Sequence, residues 1–238
     1  MVFHIITNSY FCKMHPELLF KYIDIHSHGL NTQSTDLIRI QNIFYQDFSK
    51  TRDEQFYASV GLHPWHTADH SINDQEFIKY ITHPRIVAIG EIGLDKIRNV
   101  RFDRQVEVLL QQIRLAQEFT NKPLIIHCVK AFAELLAIKK NSNSKQTWII
   151  HGFSGKAGLA NQLIQAGFIL SFGESLLSAS YKHQEAFKAT PIEHLFLETD
   201  ESQIGIEAIY EKAAQLKCLS IHELKKRINQ NFQKYFSK

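Results

Sequence analysis

The chain has 238 residues, 44% of them apolar and 21% charged, with a formal net charge of +3. This composition suits a soluble globular protein with one substantial core, and no run approaches the roughly 18 apolar residues of a membrane span. The mild charge, without a concentrated basic tract, neither requires nor excludes a polyanionic substrate; three scattered cysteines, Cys12, Cys128 and Cys218, exclude a disulfide framework or a cysteine-held zinc knot and fit a reducing cytoplasm.

Residues 1–21 carry polar breaks at His4, Thr7 and Asn8 and no clean small-residue cleavage site, so they read as a short extension ahead of a single domain over 22–238. Eight short apolar, β-branched-rich runs predict strands at about 22–28, 37–44, 56–61, 86–90, 124–128, 147–151, 168–172 and 195–199. Apolar steps of three and four predict helices at about 74–81, 103–120, 131–140, 157–166, 178–188 and 206–217. Strand alternating with helix predicts a parallel sheet, and eight such units predict an α/β fold of the (β/α)8 TIM-barrel type. Between His28 and Leu37 there is no room for a proper helix, and 45–55 holds at most a short one. The barrel is therefore expected to be slightly distorted, with short or missing helices after its first two strands.

The metal-capable side chains fall at the C-terminal ends of these strands, where barrels gather their active sites. His26 and His28 end the first strand, and because alternate residues share a face they converge, with Asp24 behind them. Glu91 follows the fourth strand, His127 ends the fifth, His151 the sixth and Asp200 the eighth. Four imidazoles and two carboxylates suit a pair of divalent cations, Mg²⁺, Mn²⁺ or Zn²⁺. The expected arrangement has His26 and His28 on one cation, His127 and His151 on the other, and Glu91 between. Asp200 binds the first and serves as general base toward the nucleophilic water. Asp24 is expected to orient an imidazole from behind, and Glu198 to support the site from the face it shares with Asp200. His63, at the mouth of the third strand, and Lys130, after the fifth, are candidate substrate contacts. Cys128 alternates away from His127 and reads as packing.

The chain resembles the TatD family of metal-dependent hydrolases. The resemblance rests on Asp24-Ile25-His26-Ser27-His28, Gly61-Leu62-His63-Pro64, Ile89 to Asp95 (IGEIGLD), Ile126-His127-Cys128, His151 to Gly155 (HGFSG) and Glu198-Thr199-Asp200, in that order. Gln105, Leu115 and Ala116 in the helix before Pro123 also fit the pattern. The resemblance implies an amidohydrolase-like barrel with a binuclear metal site and phosphodiester hydrolysis, usually deoxyribonuclease activity. Two departures concern the substrate. Val129 stands where the family commonly has an arginine, and Glu201-Ser202-Gln203 replaces a small residue, proline and an aromatic.

The leading expectation is thus a cytoplasmic metal-dependent deoxyribonuclease, with DNA or another phosphodiester as partner, no membrane association and no obligate protein partner. One alternative keeps the metals but changes the bond, to a carboxylic ester or amide, including aminoacyl-tRNA deacylation. Another, from a different class, is a non-catalytic metal-stabilised binding protein.

Overall fold

The computed structural model describes residues 21–28, 35–51, 56–178 and 181–236, so nearly all of the expected N-terminal extension lies outside the described residues. Eight parallel strands pair in chain order: β1 (Tyr22–Ser27), β2 (Leu37–Phe44), β3 (Tyr57–Gly61), β4 (Ile86–Asp95), β5 (Leu124–Val129), β6 (Trp148–Ile150), β7 (Phe168–Phe172) and β8 (Leu195–Leu197). Closure falls at the C-terminal rim, where the Asp200 N–H donates to the His26 carbonyl at 2.9 Å and the His28 N–H to the Asp200 carbonyl at 3.1 Å. The barrel seam is therefore made of the same residues that supply candidate ligands.

Helices α1 (Asp74–Ile81), α2 (Phe102–Ala116), α3 (Phe132–Ser142), α4 (Ala157–Gln165), α5 (Tyr181–Ala189), α6 (Ile206–Lys217) and α7 (Ile221–Phe236) cover the outside. Strands β6, β7 and β8 are buried at every position, because parallel strands roofed by helices lose both faces to the core. β2 instead alternates between buried Ile38, Ile40 and Asn42 and part-exposed Leu37, Arg39 and Gln41. Among the described residues only a 3₁₀ turn over Tyr45–Lys50 follows it before β3, so its outer face lacks a full helical cover there, as the short connections predict. No helix among the described residues is long and apolar enough to cross a membrane.

One strand departs from expectation. β4 runs on to Asp95, so Glu91 lies inside it rather than after it. Gly90, the expected strand end, and Gly93 hold φ of 156° and 151° and let β4 press on β5 through a register shift between Ile89 and Ile92. A Cβ on Gly93 would stand 1.9 Å from the His127 carbonyl oxygen. Gly93→Ala is accordingly expected to cost at least about 3 kcal/mol in denaturant unfolding, since both backbone conformation and space are against it.

Candidate metal centre

Five imidazoles surround one carboxylate at the C-terminal mouth. Glu91 is 3% exposed, and its two oxygens face different groups. Oε2 is 3.3 Å from His26 Nε2 and 3.4 Å from His28 Nε2, and both of these nitrogens lie 3.6 Å from Asp200 Oδ1. Oε1 is 2.7 Å from His151 Nε2, 2.8 Å from His127 Nδ1 and 3.0 Å from His63 Nε2. The structure thus brings together His26, His28, Glu91, His127, His151 and Asp200, drawn from β1, β4, β5 and the segments after β1, β6 and β8.

The donor set fits cations. Donor atoms about 2.0–2.2 Å from a tetrahedral ion stand roughly 3.3–3.6 Å apart, and the His26, His28, Glu91 and Asp200 spacings fall in that range. His26 is fully buried, yet neither of its ring nitrogens has a hydrogen-bond partner, an arrangement that buried polar groups avoid unless something else satisfies them. On the other side the imidazoles sit at hydrogen-bond distance from Oε1, so metal binding there would release protons. His151 borders both halves: its ring centre lies 4.3 Å from that of His26, and its Nε2 lies 3.4 Å from His127 Nδ1.

Charge follows the same division. Burial alone would raise the Glu91 carboxyl, but the charge on His151, hydrogen bonds from His127 and His151 and the nearby His26 imidazole hold it well below the usual range. Burial alone would lower His151, but the carboxylates of Glu91 and Glu198 raise it well above its ordinary value. Burial pushes the Asp200 carboxyl up against the pull of His151 and His26. Asp200 sits at φ 54°, a left-handed conformation that aspartate tolerates better than most residues, and its side chain is 39% exposed on the open side.

The supporting residues differ in part from expectation. Glu198 is fully buried, accepts the Gly152 N–H at 2.5 Å and faces His151 Nδ1 at 3.5 Å. Asp24 does not reach an imidazole. Its carboxylate accepts from Arg39 Nε at 2.9 Å, Thr199 Oγ1 at 2.7 Å and the Thr199 N–H at 2.9 Å, so it anchors the chain next to Asp200. His63 is buried, not held free at the mouth. Its Nδ1 accepts the Trp65 N–H at 3.2 Å, so Nε2 carries the proton and donates to Glu91. Lys130 is exposed at the rim with φ 53°. Cys128 packs against the core, and burial pushes its thiol up to about 12.

Asp95 and Gln105, part of the family pattern but without a role there, and Gln112 and Asn42, which the sequence does not single out, position the site. Asp95 Oδ2 accepts from Trp65 Nε1 at 2.7 Å and faces His127 Nε2 at 3.1 Å, which turns the other nitrogen of His127 toward Glu91. From α2, Gln105 pairs with both backbone groups of Asp95 and Gln112 with both of Leu62. Asn42 on β2 accepts the Glu91 N–H at 2.8 Å. Asp95→Asn is expected to weaken metal binding about 10–100-fold in a titration followed by calorimetry, the range for outer partners of ligating histidines.

The fold and site together define an α/β barrel with a histidine–carboxylate metal-type centre at its mouth. A family model described as TatD related DNase matches residues 30–237. An uncharacterized metal-dependent hydrolase TatD of Mycobacterium tuberculosis is 34% identical over 158 residues, 62% of this chain and 59% of that one. The uncharacterized metal-dependent hydrolase YabD of Bacillus subtilis is 31% identical over 197 residues, 76% of this chain and 77% of its own. The crystal structure of YjjV, a TatD homologue from Escherichia coli, superposes with a TM-score of 0.81 over 92% of this chain and 99% of that one, at 22% identity. The chain belongs to the TatD related DNase family. It spans about three fifths of the mycobacterial relative's length and about three quarters of the Bacillus one.

Proposed function

We propose that the protein is a cytoplasmic phosphodiesterase acting on DNA with two divalent cations. The observation that carries this reading is the division of donors about Glu91, with His26, His28 and Asp200 toward Oε2 and His127 and His151 toward Oε1. When bound, cations there supply charge neutralisation at phosphoryl oxygens and a lowered pKa for the attacking water. His26, His28, His127 and His151 would hold them together with Glu91, which is kept anionic by its imidazoles and fixed by His63 and Asn42. Asp200, part-exposed on the open side, takes the proton of the water, and Asp24 with Thr199 keeps its backbone in place. The DNA assignment rests on the family and on this phosphoryl-compatible arrangement. Hydrolysis of labelled single-stranded DNA that requires Mg²⁺ or Mn²⁺ is the expected result, and inactivity across metals and strand forms would overturn it.

A specific feature favours carboxylic ester or amide hydrolysis as the second reading. Beside Asp200 a cavity of about 400 Å³ is lined by Ser154, Glu174, Ser175, Glu201 and Ser202, and its Glu174 and Glu201 carboxylates oppose a phosphate there. Turnover of carboxylic esters with none of DNA would select this reading.

A further inference from the structure

Val129 leaves no cation on the last residue of β5, and its register partner is Asp95. Three residues past Asp95, however, the guanidinium of Arg98 lies over the Trp65 ring, 3.6 Å from its centre. That ring is fixed from below by its N–H bond to Asp95, and it meets His63 and His127 edge-on at centre distances of 4.8 and 5.7 Å. Arg98 is therefore one aromatic layer from the imidazoles that face Glu91. The turn carrying it is pinned by the Ile97 N–H, which donates to Asp95 Oδ1 at 2.9 Å.

The cations beside it are already neutralised. On the same connection, Lys96 pairs with Glu134 and Arg101 with Asp103. Among the described residues Arg98 makes no hydrogen bond or ion pair; it is exposed, and only the ring holds it. A guanidinium held flat on an indole keeps its N–H edge free for two parallel bonds to an anion, with little side-chain entropy left to lose. The opposite rim, with Glu174 and Glu201, repels the same anion. Resting on the phosphodiester reading above, we infer that Arg98, stacked on Trp65, binds the phosphate that flanks the scissile one, in place of the cation absent at Val129.

The test is binding of fluorescein-labelled oligothymidylate, followed by anisotropy over a range of salt concentrations. The full-length protein is used with divalent metal and with Asp200→Asn to keep the probe intact. Adding Arg98→Gln should weaken binding roughly tenfold at low salt and flatten the log–log salt slope by about 0.7, the share of one phosphate contact on a single strand. Arg98→Lys should keep the slope. Unchanged affinity and slope in Arg98→Gln would overturn the inference, as would weaker binding with an unchanged slope, which marks a merely structural role. In either case binding by the protein that retains Arg98 leaves the phosphodiester reading standing. If that protein also fails to bind at low salt, both fall together.

Discussion

Replacing Asp200 by asparagine is expected to lower turnover about 10²–10⁴-fold, the range for loss of a general base, while leaving the fold intact. The substitution isolates the carboxylate. Asparagine shares the tolerance of aspartate for the left-handed φ of 54° found here, so the backbone has no reason to move. The seam bonds at this residue, to His26 and from His28, are main-chain bonds and survive. Steady-state hydrolysis beside thermal melting checks both halves. Undiminished turnover would remove Asp200 from the reaction, and a collapsed melting temperature would recast it as a structural residue.

Glu91→Gln should have the second large effect, on metal rather than on the proton. A neutral amide cannot serve both donor groups, so metal affinity should fall by more than about 100-fold, beyond the range for outer partners. The metal-free protein offers an independent reading of the same carboxylate. Glu91 sits well below its ordinary value of 4.5 and His151 well above its ordinary 6.5. A depressed carboxyl stabilises above its unfolded value and loses that stabilisation as pH falls through its folded one. A raised imidazole stabilises below its unfolded value and loses it as pH rises through its folded one. Metal-free protein should therefore lose stability as pH climbs above 6.5 toward the raised His151 value, and Glu91→Gln should make that fall shallower. Melting curves across the alkaline range measure it.

Much of this site is legible in the sequence because the signal is local. Residue type and position at a strand end are enough to single out His26, His28, His127, His151 and Asp200. The bounds of α1 and α6 follow from apolar periodicity, and Asn73, accepting the Glu76 N–H, marks the start of α1. What was missed depends on partners far along the chain. Alternation placed Asp24 on the imidazole face, yet its contacts are Arg39 and Thr199, the latter 175 residues away. Gln105 fits the family pattern but carries no role in the sequence, and Gln112 and Asn42 carry no signal, until α2 and β2 are laid against β3 and β4. The fourth strand reads as ending at Gly90 because the chain pressing on Gly90 and Gly93, β5, is distant in sequence. The start of α7 at Ile221 did have a local mark: Ser220 accepts the Glu223 N–H, and Ser-x-x-Glu is a capping pattern.

Cations are expected on both sides of the Glu91 carboxylate. Anomalous diffraction from crystals grown with Mn²⁺ tests this most directly. Two peaks are predicted, one within ligand distance of His26, His28 and Asp200 and the other of His127 and His151, with Glu91 between them. A single peak, or density only away from Glu91, would contradict the account.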